Sequence, residues 1–392
     1  MIVASLATYG VGYVARPVGA FVLGHYGDVY GRRAVLLVCL FLMGLSTMAV
    51  GLVPTYAQAG VWAPVLLVAL RLIQGFAVAG EISGASSMIL EHAPFGRRGY
   101  FASFTLQGVQ AGQILAAAVF LPLSYALSKE AFLSWGWRIP FLLSLLAVAV
   151  GYFVRRRILE TPEFTAVREK ARQTRVPALE LITKHPRRVL VAMGVNVAPS
   201  IGYVFTVFAL GYMTKELGIP QGTALLAVVI AALCGAVASI LYGNLSDHIG
   251  RRSIMLWGSL FSAAYAFPFF WLLETRQPLV IIFAMVVGFS IGLRSVFGVQ
   301  PAFYTELFET RLRFSGIALA RETTGALVGG PLPLVTTAAV AAAGGAWWPV
   351  AVLMMVLALI TTLSVVMAPA PAVDTAPEAD GMDSLEPYQR RV

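Results

Sequence analysis

The chain has 392 residues, of which 58% are hydrophobic and only 12% are charged. A soluble globular chain carries about 25% charged residues, so a soluble enzyme is excluded and a membrane protein is indicated. The formal net charge of +9 has no aromatic-interleaved basic patch to go with it. It is therefore a topology signal and excludes a nucleic-acid partner.

A hydrocarbon core about 30 Å thick takes about 20 apolar residues per helix, and the chain offers eleven such runs. The first, 3–23, contains Arg16 and runs into Gly24-His25-Tyr26-Gly27-Asp28-Val29-Tyr30-Gly31-Arg32-Arg33. The second is 34–53. The third, 62–90, carries Arg71 and Glu81 and ends at Glu91; the fourth, 101–127, repeats Gln107, Gln110 and Gln113 at every third position. The fifth, 139–154, is short, with Trp135, Trp137 and Tyr152 as interfacial anchors. A connector over 155–188 follows, in which Thr161-Pro162-Glu163 reads as a helix start. The second half opens with 189–213, which holds Asn196, Tyr203 and Tyr212, and continues with 223–243. That run ends in Gly243-Asn244-Leu245-Ser246-Asp247-His248-Ile249-Gly250-Arg251-Arg252. Runs 253–273, 279–303 (Arg294, with Glu306 just beyond), 314–340 (Arg321, Glu322) and 348–368 complete the set. The Pro/Ala-rich acidic tail, 369–392, is expected to be disordered.

Lys and Arg concentrate in 24–33, 91–100, 155–188, 244–252, 304–313 and 369–392, against Lys129, Arg138, Lys215 and Arg276 on the opposite side. The first set is cytoplasmic by the positive-inside rule, and so is the C-terminus. Cys39 and Cys234 stand singly in separate spans, and His25, His92, His185 and His248 share no metal-ligand spacing. No metal, cofactor or nucleophile–base pair is indicated.

The Gly-x3-Asp-x2-Gly-Arg-Arg tag occurs once per half, followed in each half by a second landmark at Glu91 or Glu306. It lacks the strand and the Lys-Ser/Thr of a phosphate loop and marks a duplicated membrane protein. It resembles the loop between helices 2 and 3 of the major facilitator superfamily, repeated between helices 8 and 9. Within that superfamily the chain is similar to the metabolite:proton symporter family. The likeness rests on Ala15-Arg16-Pro17-Val18-Gly19, Arg71-Leu72-Ile73-Gln74-Gly75 with Gly80-Glu81, Trp135-Gly136-Trp137-Arg138-Ile139-Pro140 and Glu160-Thr161-Pro162-Glu163-Phe164. Val29, where the motif usually has a basic residue, and Arg321-Glu322, where many members are uncharged, depart from it.

The resemblance implies an all-α integral membrane fold of two pseudo-symmetric bundles rocking about a midplane site. The expected division is an N-terminal bundle over 1–154, a cytoplasmic linker over 155–188, a C-terminal bundle over 189–368 and the tail. The first motif follows one span whereas the second follows two, so eleven of the family's twelve helices are expected here, with the first absent from this chain.

Asp28, Arg32, Arg33, Asp247, Arg251, Arg252, Glu91 and Glu306 are read as a cytoplasmic gate. The two Asp would face helix N-termini, and the Arg pairs would meet Glu91, Glu306 or lipid phosphates. Stepping back by fours from Asp247 gives Gly243, Ser239, Gly235 and Ala231, a small-residue packing stripe; the same steps from Asp28 give Gly24, Ala20, Arg16 and Gly12. A charge near mid-membrane costs at least about 2.5–3.5 kcal/mol, which favours function. Arg16, Arg294, Arg321, Gln107, Gln110 and Tyr203 are the candidate substrate contacts, with polar helix glue as the alternative for the Gln residues. Glu81 first, Glu322 second, and Arg71 by resemblance are the candidates for proton coupling. Glu81 and Arg294 lie at similar depth, about 15–18 Å in from their cytoplasmic landmarks, and a contact between them is expected. Arg321 and Glu322 are about 100° apart on one helix, so one of them is expected to face the cavity.

The four Arg in the spans outnumber Glu81 and Glu322, which points to an anionic cargo. The expected function is proton-coupled symport of a small organic anion, a mono- or dicarboxylate, across the inner membrane by a monomer in lipid. The alternatives are a zwitterionic osmolyte or shikimate-like acid, and a non-transporting sensor or fragment.

Overall fold

The computed structural model describes the backbone of residues 2–94, 96–157 and 177–370. The expected helix start at Thr161-Pro162-Glu163 and the tail beyond residue 370 lie outside the described residues. Within the bilayer no water is present to satisfy backbone N–H and C=O groups, so an apolar chain crosses as helix. Each of the eleven runs is helical, and among the described residues there is no strand.

In chain order the helices are α1 (Ile2–Tyr30), α2 (Arg32–Leu52), α3 (Trp62–His92), α4 (Arg98–Ala126) and α5 (Gly136–Arg157). A short amphipathic helix, α6 (Pro177–Lys184), leads into α7 (Pro186–Lys215) and α8 (Gln221–Ile249). Then come α9 (Arg251–Glu274), α10 (Pro278–Leu307), α11 (Thr310–Ala342) and α12 (Trp348–Val366). The two halves meet where α1 packs along α11 and α4 packs along α8.

The helices overrun their apolar stretches. Asp28 and Asp247, expected in cytoplasmic loops, lie in the last turns of α1 and α8. Each loop shrinks to one glycine, Gly31 (φ 112°) and Gly250 (φ 91°), in a backbone region that other residues rarely adopt. The small-residue stripe on α8 packs as expected, with Ala231, Gly235, Ser239 and Gly243 all buried. A Cβ on Gly243 would lie 2.7 Å from the Gly99 carbonyl oxygen of α4. Three π-helical segments interrupt the second half: Val204–Phe208 in α7, Gly288–Leu293 in α10 and Gly325–Gly329 in α11. Tyr203 directly precedes the first, Arg294 directly follows the second, and Glu322 lies shortly before the third. Such wide turns recur at functional positions in helices.

Candidate functional site

At the end that carries the two repeated tags the two halves are joined by helix-terminus chemistry. The Asp28 carboxylate accepts hydrogen bonds from Phe314 N (3.2 Å) and Ser315 N (2.9 Å), at the start of the regular α-helix of α11. Asp247 accepts from Gly99 N (2.7 Å) and Tyr100 N (2.9 Å), at the start of α4. Each carboxylate thus satisfies orphan N–H groups at the positive end of a helix in the opposite half. The first Arg of each tag meets the second landmark of its own half: Arg32 pairs with Glu91, and Arg251 with Glu306. Glu91 also accepts from Arg313 Nη1 of α11 at 2.7 Å, and Arg32 Nη2 donates to the Thr310 carbonyl at 2.9 Å, so this cluster bridges the halves. The side chains of Arg32 and Glu91 are 0% exposed.

The second Arg of each tag does something else. Arg33 Nη2 donates to the Arg156 carbonyl (2.7 Å) at the end of α5, and Arg252 Nη2 to the Ala368 carbonyl (2.9 Å) just past α12. Both serve the carbonyl end of the last helix of their half, where a cation is favoured. Neither contact is with Glu91 or Glu306.

The expected Glu81–Arg294 contact is not formed. Arg155 holds both Glu81 oxygens, with Nη1 to Oε2 at 3.0 Å, and also donates to the Leu36 carbonyl at 2.5 Å. The physical reason is that α5 does not stop at the end of its apolar run. It continues to Arg157 and carries Arg155 back into the bundle against α3.

Arg294 instead faces a cavity of about 650 Å³ that is open to solvent and lined by Gln110, Tyr203, Thr206, Phe289 and Phe297 among others. Its guanidinium is capped by two rings, with Cζ 4.4 Å from the Phe289 centroid and 4.9 Å from that of Phe297. With its amide turned to offer oxygen, Gln110 accepts from Arg294 Nη1 at 2.8 Å. Arg294 is 5% exposed, and among the described residues no carboxylate reaches it.

A second open cavity, about 700 Å³, is lined by Tyr13, Arg16, Thr47, Arg71 and Gln74 among others. Arg71 Nη1 donates to Gln74 Oε1 (3.1 Å), whose amide donates to Thr47 (2.8 Å). Arg16 lies over the Tyr13 ring, with Cζ 3.9 Å from its centroid, and pairs across the halves with the buried Glu322 at 3.6 Å. The Tyr13 hydroxyl meets the Tyr203 hydroxyl, so the walls of the two cavities touch.

Arg321 and Glu322 diverge as their spacing requires. Glu322 points to α1, while Arg321 Nη1 donates to Gln300 Oε1 at 3.2 Å. The Gln300 amide donates to Asn196 Oδ1 (3.1 Å), and Asn196 Nδ2 returns to the Arg321 carbonyl (2.9 Å). Gln300, buried in α10, was not singled out in the sequence. A polar residue six positions after Arg294 in an apolar helix was the available signal. Gln107 commits its amide to the Ala236 carbonyl of α8 at 3.1 Å, which is packing glue. Tyr212 is buried and stacked on Phe208 in the core of the second half, and the side chain of Gln113 lies outside the described residues.

Comparison with known proteins fits this picture. The family model described as Major Facilitator Superfamily matches residues 2–333. The chain is 34% identical over 341 residues to the shikimate transporter of Escherichia coli (strain K12), covering 86% of this chain and 77% of that one. It is 35% identical over 338 residues to the inner membrane metabolite transport protein YhjE of the same organism, covering 84% and 76%. It is 33% identical over 338 residues to the proline/betaine transporter of Salmonella typhimurium, covering 83% and 67%. Among solved structures, the proton:xylose symporter XylE bound to 6-bromo-6-deoxy-D-glucose superposes with a TM-score of 0.74 at 18% identity. That match covers 93% of this chain and 86% of the other. With duplicated motifs, apolar helices and a cavity between two halves, the chain belongs to the major facilitator superfamily and is a multi-pass membrane transporter, not an enzyme.

Proposed function

We propose that the protein is a proton-coupled symporter of a small organic anion, working by alternating access in the inner membrane with its C-terminus in the cytoplasm. The observation that carries this reading is a recurring pair. Among the described residues Arg71, Arg294 and Arg321 each rest on a glutamine oxygen, of Gln74, Gln110 and Gln300, with no carboxylate partner. A glutamine satisfies a donor but cancels no charge, so this guanidinium surplus at membrane depth favours a visiting anion.

Coupling falls to Glu322. It is buried, faces Arg16 across the moving interface, and sits beside the cavities. A cargo carboxylate arriving on Arg16 weakens the Arg16–Glu322 attraction, and a proton on Glu322 then relieves the stranded carboxylate. Glu81 is held by Arg155 within the first half, which argues against its coupling role. The zwitterion alternative fits less well, because among the described residues that line the two cavities none is an Asp or Glu to receive an ammonium group. A cyclic acid such as that in the name of the shikimate transporter remains within the anion reading.

The test is uptake of labelled carboxylates into vesicles carrying the protein, with and without an inward proton gradient. Gradient-driven accumulation that falls by about tenfold or more in Arg294→Ala is expected, the size of one lost charged hydrogen bond. Glu322→Gln should retain exchange and lose accumulation. Wild-type accumulation in both variants would overturn the assignment.

A further inference from the structure

The two rings over Arg294 carry a consequence for selectivity. An aromatic face attracts a cation placed within about 6 Å of its centroid, and ring clusters of this kind recognise quaternary ammonium groups. Phe289 and Phe297 offer two such faces to one point, the position of Arg294 Cζ, at 4.4 and 4.9 Å. Tyr203 supplies a third aromatic wall to the same cavity, and among the described residues no carboxylate lines it. The rings are therefore arranged as a cation cage, and the protein's own guanidinium occupies it.

We propose that Arg294 is the selectivity determinant that separates anionic from quaternary-ammonium ligands. While it fills the cage, its charge attracts carboxylates and the covered ring faces are closed to an external cation. Removing it reverses both properties, because the space left between Phe289 and Phe297 joins the open cavity of about 650 Å³. The neutral ring faces are then available to a ligand cation of about the size of the lost group. This rests on the proposed anion specificity for its first half; the cage geometry stands without it.

The experiment is equilibrium binding of radiolabelled tetramethylammonium to the full chain in detergent. Wild-type protein should show no saturable binding, and Arg294→Ala should gain it. Adding Phe289→Ala or Phe297→Ala to that background should weaken binding by about tenfold per ring lost. Arg294→Met, which refills the space with an uncharged chain, should show none. If Arg294→Ala melts early or aggregates, Arg294→Ser opens the same space and is read instead. Folded Arg294→Ala and Arg294→Ser without binding, or binding that survives loss of both rings, would overturn the proposal. A cation gain together with a wild-type protein that moves no carboxylate would remove the anion reading and leave the cage standing.

Discussion

Arg155 and Glu81 show what a single side chain decides in this membrane protein. The Arg155 side chain is 19% exposed and the Glu81 side chain 26%, and each is the other's charged partner. Replacing Glu81 by Gln leaves Arg155 charged and short of an acceptor, at a cost of about 1–3 kcal/mol. Glu81→Gln should therefore lower the melting temperature while keeping gradient-driven accumulation, the reverse of Glu322→Gln. Loss of accumulation at an unchanged melting temperature would return coupling to Glu81. The sequence placed Glu81 and Arg294 at matching depth, and depth follows from residue counting along a helix. What counting does not supply is the direction each side chain takes around its helix once neighbouring helices have packed. Nor did hydropathy reveal Arg155 as a partner, because the apolar run ended one residue before it and a charged connector followed. The contacts of the tag residues were more legible, since a motif that repeats with its second landmark in each half constrains the contacts on both sides. Even there the two arginines of each tag looked equivalent, and their division into a Glu partner and a helix-end carbonyl partner appears only in three dimensions.

Helices are the scale at which the sequence was most informative. All eleven apolar runs are helical, since lipid leaves the backbone no other partner. The error was at the ends: hydropathy stops where lipid stops, whereas helical hydrogen bonding continues to Gly31 and Gly250. That overrun carries Asp28 and Asp247 out to the ends of helices in the opposite half. The π segments in α7, α10 and α11 have no signature in apolar composition and were not foreseen. Close approach was foreseen only in part. The stripe on α8 was legible from its spacing, whereas the contact of α1 with α3 depends on Gly12 meeting Gly75. A Cβ at Gly75 would run into the backbone carbonyl of Gly12, which has no rotamer with which to move aside. Gly75→Ala should therefore force the two helices apart and cost about 1–3 kcal/mol. A lowered melting temperature in detergent, with no compensating change in Gly108→Ala, checks it; a Cβ at Gly108 meets nothing within 4 Å.

At the scale of the molecule, the inter-half contacts described above form two groups of different character. The group at the tag-bearing end joins carboxylates to helix N-termini and includes the buried Arg32–Glu91–Arg313 cluster. The deeper group, Arg16–Glu322, Tyr13–Tyr203, Gln110–Arg294 and Gln107–Ala236, lies at and around the two cavities. The contacts of the first group join the halves at the tag-bearing end, and in the proposed alternating-access cycle they part before cargo leaves on that side. That proposed cycle requires Gly24 of α1 to separate from Ser315 of α11. A Cβ on Gly24 would lie 3.4 Å from the Ser315 Cβ, close to the separation of about 3.5–4.5 Å that a disulfide spans. In a background with Cys39 and Cys234 replaced by Ala, the double variant Gly24→Cys/Ser315→Cys should oxidise to a cross-link that holds the tag-bearing end shut. Uptake should fall to background on oxidation and return on reduction, with either single cysteine insensitive to both treatments. Ligand binding should survive in the cross-linked protein, because the cavity walls do not depend on this contact being broken. Full transport with the cross-link complete would mean that the two halves do not separate at α1 and α11, and that the geometry shared by the two tags serves stability instead of gating.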